Sequence, residues 1–136
     1  MPVRLTPASV KSAHHEGGTI LGSTRGGFDL QRIRAFLDKN RINVLFILGG
    51  DGTHRGGFAL AKECIAQREN KAIVCIPKTI DNDIAVVDRS FGFLTAVEEA
   101  AKAIRAAVVE ARSNMPNGIG IIKLMGRSAG YISAFA

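Results

Sequence analysis

The chain has 136 residues, 46% of them hydrophobic, and a formal net charge of +6. This length predicts about one globular domain, and because no apolar run approaches the ~20 residues of a bilayer span, we expect no membrane partner. The positive charge favours anionic partners such as phosphorylated metabolites and nucleotides, whereas the absence of a basic run argues against nucleic acid.

The first forty residues predict irregular structure followed by a helix. In chain order we expect a polar irregular segment with one helical turn (1–16), a short strand (17–22), a loop (23–27) and a helix (30–40). Thr6 before Pro7, and Asp29 before the longer helix, are residue types that begin helices because their side chains accept hydrogen bonds from free N–H groups.

The segment Val44–Thr53, VLFILGGDGT, organises the rest of the chain. Five consecutive apolar residues predict a strand buried on both faces, as in parallel sheets. The glycines that follow allow a sharp turn and the close approach of a ligand. Asp51 is then expected at the carboxyl end of a central strand, where α/β sheets bind ligands. A carboxylate beside free N–H groups and Thr53 suits a metal–phosphate group.

Helices and strands alternate further along the chain. We predict a helix (53–67), a strand (72–76), a long helix (91–112), a third buried strand (119–124) and a final helix (128–136). In helix 53–67 the apolar face is expected to contain Phe58, Ala61 and Ile65, with Leu60 and Cys64 beside it. This alternation is typical of βαβ units and predicts the α/β fold class, a parallel sheet with flanking helices.

Cellular location is predicted from the cysteines and the N-terminus. Cys64 and Cys75 lie in apolar stretches without metal-ligand spacing, which indicates reduced core residues. The first residues, MPVRLTPASVKSAHHEGG, contain no signal-peptide core. Both observations favour a cytoplasmic protein.

Three loops follow three of the predicted strands: GGDGT (49–53), PKTIDND (77–83) and LMGRSAG (124–130). Because the carboxyl ends of parallel strands lie at one edge of a sheet, we expect these loops to meet there. The glycine loop suggests a phosphate site in which Asp51 holds Mg²⁺, although Asp51 could instead cap the next helix. Neither a Walker lysine pattern nor a dinucleotide GxGxxG motif is present.

The acidic loop alternates Thr79, Asp81 and Asp83, so an extended backbone would point the three side chains the same way. Two carboxylates at close range repel each other, which favours proton uptake by one of them and suits a general base. The alternative is an acidic loop that caps the following helix. Lys78 could reach a phosphate or a neighbouring carboxylate.

The loop GRSAG also fits the G-x-S-x-G nucleophile elbow, with Ser128 as the nucleophile. A hydrolase of that type needs a downstream acid and then a histidine, but His14, His15 and His54 all precede Ser128. Arg127 suits a different role, because its fork of donors can clamp an anionic substrate.

Together, GGTILGSTRGG, GGDGT, PKTIDND, SFGFLTAVEEA and NGIGIIKLMGRSAG resemble the 6-phosphofructokinase family, in particular its ATP-dependent branch of plants and some bacteria and protists. GGDGT also occurs in NAD kinases and diacylglycerol kinases, but without TIDND and MGR. The resemblance implies that residues 1–136 form an incomplete, Rossmann-like N-terminal nucleotide and sugar-phosphate domain. It also implies phosphorylation of fructose 6-phosphate by ATP and Mg²⁺, in an enzyme that is a homo-oligomer when full length.

The resemblance assigns roles to matching residues. Asp81 is the implied general base for the sugar 1-hydroxyl, assisted by Thr79 and Arg127, and Asp51 is the implied Mg²⁺ ligand. The residues implied to contact ATP are Arg25, Gly26, Gly50, Asp51, Gly52 and Thr53. The residues implied to bind the sugar phosphate are Thr79, Ile80, Asp81, Met125, Gly126 and Arg127.

The resemblance also bears on the phosphoryl donor and on how much of the enzyme this chain represents. Pyrophosphate-dependent members tend to carry Asp at the position of Gly52, whereas Lys78 is common among them; the plant-like ATP branch combines Gly with Lys, which favours ATP. Whole phosphofructokinases are more than twice this length, so this chain resembles a fragment. A non-catalytic phosphate-binding module of the same family is the alternative.

Overall fold

A computed structural model describes residues 3–24 and 26–136. The helices are α1 (Pro7–Val10), α2 (Leu30–Lys39), α3 (Asp51–Ala66), α4 (Phe93–Ser113) and α5 (Tyr131–Phe135), and the strands are β1 (Val44–Gly49) and β2 (Ala72–Pro77). The α/β class, with parallel strands and flanking helices, is confirmed. In this described part of the chain, no helix has the length and apolarity needed to cross a bilayer.

Helix α3 connects the two parallel strands and packs on one face of them. Its buried residues are Gly57, Leu60 and Cys64. A Cβ at Gly57 would overlap Cys75 and reach Ile47 at 3.4 Å, so glycine at this position lets the helix approach the sheet closely. The predicted apolar face of Phe58, Ala61 and Ile65 is therefore wrong, since Phe58 and Ile65 are 72% and 75% exposed, whereas Leu60 and Cys64, expected beside it, are buried.

The expectation that β1 is buried on both faces is also wrong. Its residues alternate, and Val44, Phe46 and Leu48 are about half exposed. The cause is that α3 covers one face, whereas α4, the longest described helix, packs mainly against α5.

Two predicted strands are irregular in the structure. Within residues 17–22, Gly18 and Gly22 have positive φ angles of 77° and 72°, which suit turns and interrupt extended pairing. Residues 119–124 pair with no described strand. This segment instead runs beside α4, where a Cβ at Gly120 would lie 3.3 Å from that of Ala107.

A second core forms between α4 and α5. Phe93, Ala100 and Ile132 are buried there, and the rings of Phe93 and Phe135 meet edge to face at 5.3 Å. The partly buried apolar residues packed on this core include Ile80 and Leu124. The core therefore anchors both the acidic loop and the segment that leads to Arg127.

Charged side chains join α2 to the end of α3 and the start of β2. Arg34 pairs with Glu63 at 3.1 Å and with Glu69, while Lys71 pairs with Glu69 at 2.8 Å and with Asp38 at 2.6 Å. Hydrogen bonds from Arg34 and then Lys71 lower the pKa of Glu69 to about 2. Both cysteines are free, as predicted, and burial raises the pKa of Cys64.

Replacing Glu69 should change the acid stability of the fold. Its folded pKa of about 2 lies below the ordinary value of 4.5, so the stabilisation is complete above pH 4.5 and is lost as the pH falls toward 2. We expect Glu69→Gln to unfold at lower urea than the parent at pH 7, with the difference shrinking as the pH falls from 4.5 to 2.

The control is Glu99→Gln, whose carboxylate pairs with Lys102 on an exposed surface. Such pairs contribute little, so its urea midpoint should follow that of the parent. An unchanged difference between Glu69→Gln and the parent from pH 7 to pH 2 would contradict the assignment.

Candidate functional site

The three loops line one cleft of about 740 Å³ at the carboxyl ends of the strands. The glycine loop supplies one wall, the acidic loop the second, and the segment around Arg127 the third. The lining residues are Gly22, Ser23, Thr24, Leu48, Gly49, Gly50, Thr53, Lys78, Thr79, Ile80, Asp81, Met125, Gly126 and Arg127. The loops meet as predicted, but the third loop follows no strand in the described structure.

Strand register brings the first two loops together. Gly49 pairs with Pro77 at the end of the sheet, and the Lys78 N–H donates to the Gly49 carbonyl at 2.9 Å. A Cβ at Gly50 would lie 3.6 Å from that of Thr79, and one at Gly49 would overlap the Thr53 side chain. Glycine at position 49 therefore leaves room for the Thr53 side chain, and Gly50 lies beside the acidic loop.

Helix α3 begins at the cleft. Gly50 is its N-cap and no side chain caps it, so the alternative in which Asp51 caps this helix is wrong. The first N–H groups of a helix have no partner within the helix, and together with the helix dipole they make such an end suited to phosphate. The start of α3 therefore offers backbone donors beside Thr53.

Asp51 lies at the first position of α3 rather than among the lining residues. Its side chain is 51% exposed and forms an ion pair with Arg55, one turn further along. The hydrogen bond from Arg55 lowers the pKa of Asp51, and the charge of Arg127 lowers it further. Asp51 is therefore an ionised carboxylate within electrostatic range of the third loop.

Asp81 joins the second loop to the third. Its carboxylate oxygen Oδ1 accepts a hydrogen bond from the Arg127 N–H at 3.1 Å, and its own N–H donates to Thr79 Oγ1 at 3.1 Å. Gly126, at a φ of 135°, approaches the same oxygen, since a Cβ there would lie 3.5 Å away. This contact spans residues far apart in the sequence.

The alternating pattern predicted that Asp83 would point the same way as Thr79 and Asp81, but it does not. It lines a neighbouring cavity with residues 84–89 and 128–131. Between Asp81 and Asp83 the backbone of Asn82 is left-handed, with a φ of 52°, and this interrupts the extended alternation.

The remaining predicted residues divide between the cleft and its surroundings. Ile80, Met125, Gly126 and Arg127 line the cleft, and Gly26 and Gly52 line an adjoining apolar cavity of about 430 Å³. Arg25 lies outside the described residues. Ser23 and Thr24 were missed as lining residues, although they belong to the same STRGG loop.

A serine hydrolase site is not formed by the described residues. Ser128 has the positive φ of an elbow, 56°, but each histidine lies in another setting. His54 Nδ1 is 2.9 Å from the Gly50 carbonyl, and His14 and His15 contact each other, with ring centroids 3.7 Å apart.

The oxygen donors at and beside the cleft have the chemistry that suits a magnesium ion shared with phosphate oxygens. Within residues 3–24 and 26–136, no group of three or more His, Cys, Asp or Glu could hold a metal by itself. Mg²⁺ usually binds one or two carboxylates and completes its shell with phosphate oxygens and water. Asp51, beside the cleft at the start of α3, and the Thr53 hydroxyl supply oxygen ligands of this kind.

A glycine turn at a helix start, a carboxylate and an arginine around one cleft are features typical of phosphate-binding α/β proteins. The family described as Phosphofructokinase matches residues 2–136. The chain therefore belongs to the phosphofructokinase family.

Individual relatives agree with this assignment. The chain is 52% identical over 134 residues to ATP-dependent 6-phosphofructokinase 7 of Arabidopsis thaliana, covering 98% of this chain and 27% of that relative. It is 50% identical over 133 residues to the ATP-dependent 6-phosphofructokinase of Entamoeba histolytica (98% and 30%) and 48% identical over 134 residues to that of Trypanosoma cruzi (98% and 27%). The chain thus spans less than a third of the length of these relatives.

The relatives leave the cellular compartment open. Two of the Arabidopsis relatives are named chloroplastic. The cytoplasmic location therefore stays a prediction.

Removing the guanidinium of Arg55 should raise the pKa of Asp51 toward its ordinary value, because the hydrogen bond from Arg55 is the main cause of the lowered value. A side-chain carboxyl NMR titration of Arg55→Ala measures this directly. Arg68→Ala, just past the other end of the 16-residue α3, is the matched control. The same Asp51 titration in Arg55→Ala and the parent would show that the ion pair does not form.

Proposed function

We propose that this chain carries the catalytic centre of an ATP-dependent 6-phosphofructokinase, which transfers the γ-phosphoryl group of ATP to the 1-hydroxyl of fructose 6-phosphate. One observation carries the proposal: the Asp81 carboxylate is held by the Arg127 N–H in the cleft that the glycine loop also lines. A base, an arginine and a phosphate-binding helix start thus share one space, as phosphoryl transfer requires. The similarity to ATP-dependent 6-phosphofructokinases supports ATP as the donor.

On the nucleotide side, backbone N–H groups at the start of α3 bind phosphate oxygens of ATP. Thr53, Gly50 and Gly52 belong to this loop, and Arg25 and Gly26 extend the nucleotide contacts. Asp51 is the proposed ligand of Mg²⁺, which neutralises phosphate charge when bound. Residues 1–136 would then form part of a nucleotide and sugar-phosphate domain.

On the sugar side, Asp81 takes the proton of the attacking hydroxyl. Arg127 neutralises negative charge on the moving phosphoryl group, and Thr79 contacts it from the strand end. Ile80, Met125 and Gly126 shape the space beside them. Because the chain spans less than a third of its relatives, the remaining sugar contacts would come from outside these residues, in a homo-oligomer.

Removing the proposed base should slow turnover strongly while leaving nucleotide binding unchanged. We expect Asp81→Asn to lower kcat by about 10²–10⁴-fold, the usual contribution of general base catalysis, with the Kd for MgATP unchanged. ADP formation dependent on fructose 6-phosphate, assayed on the complete gene product, and calorimetry with MgATP measure the two effects. Glu98→Gln, on the exposed side of α4, is the control.

Two results would count against this function. An Asp81→Asn protein with the parent's kcat would remove Asp81 from the chemistry. A parent protein that binds MgATP but forms no ADP with fructose 6-phosphate would instead identify a non-catalytic nucleotide-binding module.

The choice of donor is tested at Gly52. A Cβ there meets nothing within 4 Å, so Gly52→Asp should fold yet place a negative charge beside the phosphates. Two like charges about 4 Å apart in water repel each other by about 1 kcal/mol. We therefore expect KM for ATP to rise about fivefold or more. Gly52→Ala separates charge from size and should change KM much less. Equal KM values for Gly52→Asp and Gly52→Ala would contradict the placement of ATP phosphates at this loop.

A further inference from the structure

Ser90 lies outside the three loops, yet it contacts the acidic loop twice. Among the described residues Ser90 is the one buried polar residue, with 5% of its surface exposed. Its hydroxyl donates to the Thr79 carbonyl at 2.7 Å, and its N–H donates to Asn82 Oδ1 at 2.8 Å. The Asn82 side-chain amide in turn donates to the Asp88 carbonyl at 3.1 Å.

These bonds form a clasp, defined here as Thr79, Asn82, Asp88 and Ser90, that encloses Asp81. Thr79 precedes Asp81 by two residues and Asn82 follows it directly, so both sides of Asp81 are held. The left-handed backbone of Asn82 suits asparagine, which reaches this conformation at low cost. Hydrogen bonding from the Phe91 N–H to the Pro77 carbonyl at 2.9 Å closes the base of the same loop.

The clasp holds a loop that has little apolar packing of its own. Val86, at its tip, is fully exposed, and Ala85, Asp88 and Arg89 are exposed as well. Ile80 is the residue of the acidic loop that packs on the α4–α5 core. The position of the backbone after Ile80 therefore depends on polar contacts, and those contacts converge on Ser90.

We propose that Ser90 and Asn82 are positioning residues for Asp81, fixing its backbone so that the carboxylate faces the cleft and meets the Arg127 N–H. The proposal rests on the proposed function in one respect, the role of Asp81 as the base. Neither residue needs to touch the substrate for this. A displacement of about 1 Å in a reacting group can lower a rate by about 10²-fold, so the clasp would act on kcat.

The test uses the complete gene product with Ser90→Ala, Asn82→Ala and the double variant. We expect each single variant to lower kcat with fructose 6-phosphate by about ten- to a hundredfold, with KM for MgATP little changed because the glycine loop is a separate element. The loss of kcat in the double variant should be about as large as that of the more impaired single variant, since both changes open one clasp. Amide hydrogen exchange at residues 79–82 should quicken in all three.

Ser113→Ala is the matched control. Its hydroxyl makes a similar bond, to the Val109 carbonyl at 2.9 Å, but at the exposed end of α4. This variant should keep the parent's kcat and the parent's exchange at residues 79–82. If Ser90→Ala fails to fold, Asn82→Ala and Ser90→Cys, which substitutes a slightly larger group and a weaker donor, test the same expectations.

Several results would overturn the proposal. Folded Ser90→Ala and Asn82→Ala with the parent's kcat would do so, as would equal losses in kcat and in MgATP affinity, which indicate general destabilisation. If the parent has no kinase activity, the proposed function fails and exchange decides the clasp: faster exchange at residues 79–82 supports it, and unchanged exchange overturns it.

Discussion

The candidate site depends on the parallel pairing of β1 and β2 in a register that ends at Gly49 and Pro77. Both strands stop at the same edge, so the loops that follow them must start side by side. The glycine turn then lies beside the acidic loop, and a Cβ at Gly50 would reach Thr79 at van der Waals distance. A shift of this register would move the starts of the two loops apart along the sheet.

The third loop is held by different means. It follows no strand in the described structure, and its position comes from Leu124 packing on the α4–α5 core and from the hydrogen bond between the Arg127 N–H and Asp81. The charged cluster around Glu69 lies at the other end of the strands, near Asn43 and Ala72, where it joins α2 to the sheet. Stabilising charges and candidate chemistry therefore occupy opposite ends of one βαβ unit, as is usual for α/β proteins.

Local signals predicted much of this arrangement. The apolar runs before Gly49 and Pro77 located both strands, and the capping of α2 by Asp29 was confirmed at 3.1 Å. Because the carboxyl ends of parallel strands share one edge, the meeting of the glycine loop and the acidic loop followed from topology. The family assignment rested on several motifs in one order, which composition could not imitate.

The errors came from contacts that a sequence pattern does not contain. Which face of α3 packs was decided by Gly57 opposite Cys75, a match between distant residues. The segment 119–124 has the composition of a strand, but a strand needs a neighbour and none is described beside it. The left-handed turn at Asn82 redirected Asp83. The role of Ser90 has no local sequence signal, because its partners lie eight and eleven residues away.

The central claim is that Asp51, Asp81 and Arg127 converge around one magnesium-bound nucleotide and the sugar hydroxyl that it phosphorylates. The most direct measurement is paramagnetic broadening of amide NMR signals when Mn²⁺ and ATP replace Mg²⁺ and ATP on the complete gene product. The claim predicts that signals of the glycine, acidic and arginine loops broaden together and recover when Mg²⁺ is restored. Broadening confined to one of these loops, or centred elsewhere on the molecule, would contradict it.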